Sequence, residues 1–197
     1  MNRSTQATLE LIVTSARDAL ISHGYAKFTT RRVAEFAGIS PGNLAYHFPS
    51  KQVLLKGLVR RILADHLSEF EMALADTGQD LTRGLSQIVR LIMLDSASEK
   101  TVRTFRELWA ISLHDKEVCK AVDDMYDVLM ERVADLLQRL RPEADMKLIR
   151  ESVQLLALIS EGTAVLYGTR SNRAISHEQI IRVVTQVLDS HLELQEK

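Results

Sequence analysis

Residues 29–51 of the chain read TTRRVAEFAGISPGNLAYHFPSK and contain two short runs with helical apolar spacing. The first run stops at Gly38, and glycine accepts the left-handed backbone that commonly ends a helix. Ser40 can accept a hydrogen bond from a free amide of the next turn, and Pro41 suits the first position of a helix. The stretch therefore predicts two short helices joined by a tight turn, which is a helix-turn-helix.

The second of these helices has an inward and an outward face. Leu44 and Phe48 are four residues apart and would pack inward on the same side. In a helix-turn-helix the opposite face can enter the major groove of DNA. The alternative is an ordinary helical hairpin at the edge of an all-helical protein, and spacing alone favours neither interpretation. The residues left on the outward face are Gly42, Asn43, Ala45, Tyr46 and His47.

The stretch from Phe28 to Lys51 closely resembles the DNA-binding domain of the TetR family of bacterial transcriptional repressors. The similarity covers the AGIS corner, the L-x-x-x-F inward pair and the F-x-x-K exit into a long helix. The resemblance implies an all-α fold of about nine helices. It also implies two domains: a three-helix DNA-binding domain with the helix-turn-helix over residues 1–52, and a helical effector-binding and dimerisation domain over residues 53–197.

Charge is distributed unevenly along the chain. Residues 1–61 hold nine Lys or Arg against three Asp or Glu, whereas residues 62–197 hold 16 against 23, although the whole chain has a net charge of only -1. A basic N-terminal part would attract phosphates, and an acidic remainder would oppose wrapping by DNA. The alternative is chance clustering of solvated charge, which we consider weaker because the basic cluster coincides with the helix-turn-helix.

The composition argues against several other classes of protein. The single cysteine, Cys119, excludes an internal disulfide framework and a Cys-rich metal site. The sequence has no Gly-rich phosphate loop, HExxH motif or nucleophile elbow, and its six histidines lack ligand spacing. We also expect no N-terminal leader, because no charged and then apolar segment precedes the first predicted helix, and no membrane span, because no apolar run is long enough to cross a bilayer. We therefore expect a bacterial cytoplasmic protein, located at the nucleoid when bound to DNA, that is not an enzyme and uses no cofactor or metal.

The start of the first helix of the motif carries an electrostatic conflict. Thr29 is a good N-cap, but Arg31 and Arg32 follow in the first turn and oppose the helix dipole. A DNA phosphate at this N-terminus would offset that cost. We therefore expect Thr29, Thr30 and Arg31 to contact the DNA backbone or a base edge.

The resemblance assigns further DNA contacts residue by residue. Family members commonly bind phosphates at the positions of His47 and Lys51. Asn43 can read adenine and Tyr46 can touch a thymine methyl. Ala45 departs from the family pattern, since relatives often carry an aromatic residue there. The expected DNA-binding set is Thr29, Thr30, Arg31, Ser40, Pro41, Gly42, Asn43, Ala45, Tyr46, His47 and Lys51.

The remaining helices are predicted from apolar periodicity over about residues 5–23, 51–75, 80–96, 100–113, 116–140, 143–167 and 176–194.

Relatives bury a small effector among the C-terminal helices. Glu161 lies in a run of small and apolar residues, where a buried carboxylate would need a partner. It can bind a cationic effector, face solvent or meet an arginine across a dimer. The segment from Glu107 to Asp115 also resembles the subgroup that includes choline-responsive repressors. The candidate effector-binding residues are Met93, Phe105, Trp109, Ser112, Tyr126, Met130, Glu161 and Tyr167, most of which are equally consistent with plain core.

The last two predicted helices would form the dimer interface. Relatives dimerise through them as a four-helix bundle, and small side chains in this region allow close approach of helices. The alternative is a purely intramolecular core face. The expected interface residues are Ala157, Ser160, Ala164, Ile180, Val184, Val187, Leu188 and His191.

The function implied by these features is that of a homodimeric transcriptional regulator. It would be a repressor, released from a near-palindromic operator in double-stranded DNA when a small-molecule effector binds. A DNA-bound adaptor or structural protein that responds to a protein partner is the alternative on the same scaffold.

Overall fold

The computed structural model describes residues 3–75, 81–166 and 175–193. Over these residues the fold is all-α, with nine α-helices, one short 3-10 turn and no strand, as predicted. None of the described helices is long and apolar enough to cross a membrane. The helices are α1 (Arg3–His23), α2 (Thr30–Ala37), α3 (Pro41–His47), α4 (Lys51–Ala75), α5 (Leu81–Ser96), α6 (Glu99–Ser112), α7 (Lys116–Leu140), α8 (Met146–Leu166) and α9 (His177–Leu192), and the 3-10 turn is Tyr25–Lys27.

The helix-turn-helix is closed by the side chains that the sequence indicates. The Thr29 hydroxyl accepts the amide of Arg32 at 3.2 Å, and the Ser40 hydroxyl accepts the amide of Asn43 at 3.1 Å. Gly38 ends α2 with φ of 64°, in the left-handed region. The predicted caps and the tight corner are thus confirmed.

The boundary of α8 differs from its prediction. The apolar pattern suggested a start near Glu143, but the helix begins at Met146. The carboxylate of Asp145 accepts the amide of Lys147 at 2.7 Å, so Asp145 caps the helix and leaves the preceding residues in a turn.

The chain divides into two compact units. The first contains residues 1–64 and 103–125, and the second contains residues 65–102 and 126–197. In the first unit, Ile12, Leu20 and Val33 are fully buried. The second unit has its own apolar core from α5, α7, α8 and α9, with residues such as Ile88 and Leu188. The domain boundary after residue 52 remains a prediction.

Candidate nucleic-acid interface

The outward face of α3 is solvent-exposed over most of its length. Leu44 is only 1% exposed and Phe48 8%, so these two side chains anchor the helix to the first unit. The side chain of Tyr46 lies on the opposite face, and this residue is 84% exposed. The inward and outward faces predicted from the four-residue spacing are therefore present. The exposed residues of this face are Pro41, Gly42, Asn43, Ala45 and Tyr46.

The N-terminus of α2 lies in the same unit and contains the two arginines expected there. Arg31 is exposed, and its Nε forms an ion pair with Glu35 at 3.4 Å. Such an exposed pair contributes no more than about 1 kcal/mol, so Arg31 can exchange it for a phosphate. Arg32 is different, because its guanidinium donates to the carbonyl of Lys27 at 2.6 Å and holds the preceding turn. Thr30, the first residue of α2, is half-buried.

His47 and Lys51 were both expected at DNA phosphates, and their environments differ. The half-buried His47 ring meets the ring of Tyr46 edge-on, with 5.0 Å between centroids. The ammonium of Lys51 donates to the carbonyl of Tyr25 at 3.3 Å and lies 3.5 Å from the centroid of the Tyr25 ring. Burial lowers the pKa of Lys51 below its ordinary value. The structure thus places Lys51 on the turn between α1 and α2.

Sequence reasoning missed a residue that reaches this turn from α6. Glu107 Oε2 accepts the backbone amide of Tyr25 at 2.8 Å, although the two residues are 82 positions apart. A second connection joins Lys56 of α4 to Glu117 of α7 at 3.0 Å. Neither contact leaves a signal in local spacing, because each depends on helices distant in sequence.

The candidate effector residues divide between the two units. Phe105, Trp109 and Ser112 belong to the first unit, where the Ser112 hydroxyl donates to the carbonyl of its own helix at Leu108. Met93, Tyr126, Met130 and Glu161 belong to the second unit, and Tyr167 lies outside the described residues. Met93 is fully buried in the apolar core of the second unit, and Met130 packs against that core.

Tyr126 and Glu161 are the two effector candidates joined by a direct hydrogen bond. The Tyr126 hydroxyl donates to Glu161 Oε1 at 2.8 Å. Burial raises the pKa of the Glu161 carboxyl above its ordinary value, and the hydrogen bond from Tyr126 and the charge of His66 offset only part of that rise. The surroundings of Glu161 therefore stabilise its negative charge only in part.

A second polar group of the second unit was not predicted. His66 Nε2 lies 3.1 Å from Asp95 Oδ2, and the Thr101 hydroxyl donates to Asp95 Oδ1 at 3.0 Å. Burial raises the pKa of Asp95, but the interactions with His66 and Thr101 and the charge of Lys100 together outweigh it, so the pKa lies below its ordinary value. The contact ties α4, α5 and the first turn of α6 together.

A surface cleft of about 330 Å³ lies between α5 and α9 and also escaped prediction. Within it, Arg90 pairs with Glu178 at 2.7 Å, while Asp189 pairs with Arg141 at its edge. Among the described residues, no group of three or more His, Cys, Asp or Glu side chains is arranged to hold a metal ion.

The expected dimer residues occupy two kinds of position. Ser160, Ala164, Val184 and Leu188 are buried within their own chain. Ala157, Ile180 and His191 are half-buried, and His191 Nε2 lies 3.1 Å from Glu151 Oε2. Val187 is 47% exposed. The apolar residues that α8 and α9 leave exposed are Leu155, Leu158, Val165, Leu166, Val183 and Val187.

Two sequence patterns of known families match the chain. The pattern of the bacterial regulatory proteins of the tetR family matches residues 12–58. The pattern of the C-terminal region of BetI-type transcriptional repressors matches residues 81–193, which is more than half of the chain.

Individual relatives and structures agree with these matches. The chain is 29% identical over 126 residues to the HTH-type transcriptional regulator BetI of Stenotrophomonas maltophilia, covering 64% of each protein. It is 27% identical over 139 residues to the HTH-type transcriptional regulator TtgR of Pseudomonas putida, covering 67% of this chain and 60% of the relative. The chain thus spans slightly less than two thirds of the length of these relatives. A solved structure from Mesorhizobium loti, assigned to the TetR family, superposes with a TM-score of 0.80 at 19% identity over 98% of both chains, a likeness of fold.

Proposed function

Because the chain belongs to the TetR family of bacterial regulatory proteins, we propose that it is a DNA-binding transcriptional regulator that represses as a homodimer and leaves its operator when a small molecule binds. The exposed face of α3, anchored from behind by Leu44 and Phe48, carries this proposal. A short helix held in this way can enter the major groove without disturbing the core.

The proposed base contacts come from the outward face of α3. Asn43 would read adenine with its amide, and the exposed Tyr46 would meet a thymine methyl or a phosphate. Gly42 and Ala45 have small side chains that let the helix backbone approach the base edges, and Pro41 and His47 lie at its two ends. Thr29, Thr30, Arg31 and Ser40 would contact the sugar-phosphate backbone, as would the basic charge of residues 1–61.

A dimer is proposed through α8 and α9. Support comes from the apolar side chains left exposed on these helices, including Leu158 at 62% and Val183 at 54%. Leu155, Leu158 and Val165 recur at helical spacing along one side of α8, and Val183 and Val187 do so on α9. A two-fold axis between two copies would present two recognition helices to half-sites about 34 Å apart.

The proposed effector site includes Tyr126 and Glu161. A half-buried carboxylate with one tyrosine hydroxyl as partner favours a ligand that carries a positive charge or hydrogen-bond donors. Such a ligand represses DNA binding only if it binds the non-DNA conformation more tightly than the DNA-bound one.

The proposal is tested by selecting fragments from genomic DNA of the source bacterium with the purified protein, followed by footprinting over a salt series. We expect protection of a near-palindrome by a dimer, with affinity well above that for scrambled DNA and lost in Tyr46→Ala. Lys100→Ala, an exposed change in the second unit, serves as the control with wild-type affinity. Equal affinity for selected and scrambled DNA would refute the regulator. Release by a protein fraction and by no small molecule would support the adaptor function instead.

A further inference from the structure

The 3-10 turn between α1 and α2 is held by two charged side chains from outside it. Both polar backbone groups of Tyr25 are engaged. Its amide donates to Glu107 Oε2 at 2.8 Å, and its carbonyl accepts from Lys51 Nζ at 3.3 Å. The same ammonium lies 3.5 Å from the Tyr25 ring centroid, within the range of a cation–π contact. Tyr25 therefore joins α6 to the first residue of α4.

The approach of Glu107 depends on the residue before Tyr25. Gly24 has φ of 70° and ψ of 168°, a conformation that side chains disfavour. A Cβ atom at this position would also lie 3.3 Å from Glu107 Oε1. Glycine at this position thus permits both the backbone conformation of the turn and the close approach of the Glu107 carboxylate.

The position of this turn bears directly on the helix-turn-helix. Phe28, which follows the turn, is 1% exposed, and Thr29 caps α2 immediately after it. Arg32 of α2 donates back to the carbonyl of Lys27. Lys51 begins α4 four residues after the end of α3. A shift of the turn would therefore move both ends of the motif.

We propose that Glu107 and Lys51 are positioning residues for DNA binding, which act through Tyr25 to hold the helix-turn-helix in its binding orientation. The inference rests on the proposed function. It gives Lys51 a role other than the expected phosphate contact, because its ammonium already donates to the Tyr25 carbonyl and lies over the Tyr25 ring. It also implies that Glu107 increases the affinity for DNA, although a negative charge by itself would decrease it.

The salt dependence of operator binding separates positioning from phosphate contact at Lys51. Log affinity falls linearly with log salt, and loss of one phosphate contact makes this slope shallower by about 0.9. We expect Lys51→Met to reduce affinity about tenfold while the slope stays that of the wild type. Lys51→Arg retains a cation over the ring and should recover most of the affinity. Arg31→Ala, at a proposed phosphate contact, is the control, and its salt dependence should become shallower.

At Glu107, the direction in which DNA affinity changes on substitution distinguishes a positioning role from a purely electrostatic one. If charge alone mattered, removing an acid would strengthen DNA binding. We expect Glu107→Ala to weaken binding about tenfold and to speed hydrogen exchange at the Tyr25 amide in the free protein. Glu107→Gln keeps an acceptor oxygen and should bind DNA at least as tightly as the wild type. Asp124→Ala, which removes an exposed acid that pairs with Lys120 of the same helix α7, should not weaken binding.

The outcomes distinguish this inference from the proposed function. A reduced slope in Lys51→Met, or wild-type or tighter binding by Glu107→Ala, would overturn the positioning role while leaving the regulator intact. Failure of the wild-type protein to prefer its selected site would overturn the regulator and this inference together. All binding is measured well below the melting temperature of each variant, so a loss of fold stability alone leaves the affinity of the folded protein unchanged.

Discussion

The ring of Phe48 lies against the bare Cα of Gly57, so closely that a Cβ atom on Gly57 would come within 2.6 Å of Phe48 Cε1. Phe48 follows the recognition helix and is 8% exposed, and Gly57 lies in α4 between the buried residues Leu55 and Leu58. The absence of a side chain at Gly57 thus lets α4 approach the end of α3.

Gly57→Ala should therefore destabilise the protein. Overpacking of this kind costs about 1–3 kcal/mol, and the better helix propensity of alanine recovers at most about 1 kcal/mol. Urea unfolding of the variant and the wild type measures the difference. Phe48→Leu in the Gly57→Ala background provides the control, because the smaller side chain relieves the clash. Strictly additive effects of the two changes would show that the close contact does not limit stability.

Gly42→Ala should have the opposite effect on stability and a separate effect on DNA binding. A Cβ atom at Gly42 meets only the Ser40 hydroxyl, at 4.0 Å. Alanine in a helix should then add up to about 1 kcal/mol of stability. The new methyl group projects from the face proposed to meet DNA, so we expect operator affinity to fall about tenfold. Undiminished affinity would mean that α3 does not approach DNA at Gly42.

The features predicted correctly from sequence are those that depend on local chemistry. Thr29, Gly38 and Ser40 cap or end helices through bonds within four residues of themselves, so their neighbours in sequence suffice to identify them. The buried positions of Leu44 and Phe48 follow from one four-residue spacing.

The features that escaped prediction depend on which helices meet. Lys51 was placed by family pattern at a phosphate, and local spacing gave no sign that its ammonium contacts a tyrosine 26 positions earlier. On α9, the apolar pattern does not decide which valines face the core. Val184 is 5% exposed, whereas its neighbour Val183 is 54% exposed. A rotation of one residue about the helix axis thus exchanges core for surface, and apolar spacing alone does not determine it.

Glu161→Gln should stabilise the protein at neutral pH. Burial raises the pKa of Glu161 in the folded protein. The carboxyl thus binds its proton more tightly when folded, and its contribution to stability, present at low pH, is lost as the pH rises through the folded pKa. Glutamine keeps the acceptor for Tyr126 without the charge. Urea unfolding should show a stability gain at pH 7 that shrinks as the pH falls toward 4.5, the ordinary glutamate pKa. A gain independent of pH would exclude titration of Glu161 as its cause.

Asp95→Asn should show the reverse dependence on pH. The pKa of Asp95 is lowered in the folded protein, although burial opposes the interactions with His66 and Thr101. Its contribution is therefore present above the unfolded pKa and lost as the pH falls through the folded pKa. We expect the variant to be less stable than the wild type at pH 7, with a difference that narrows below 3.8, the ordinary aspartate value. The same unfolding series measures the difference in stability, and a difference that did not narrow below pH 3.8 would contradict the assignment.

Val183→Glu should dissociate the proposed dimer, whereas Leu113→Glu should not. Val183 is 54% exposed on the apolar side of α9, and Leu113 is 80% exposed after the end of α6. A glutamate buried at an interface carries an unpaired charge that costs several kcal/mol, but the monomer loses little because Val183 is 54% exposed within its own chain. Sedimentation should therefore show a folded monomer for Val183→Glu and a dimer for Leu113→Glu. Val184→Ala, in the core, should lower the melting temperature of the protein. A dimer that survives Val183→Glu but dissociates in Leu113→Glu would place the interface on the end of α6 instead of on α9.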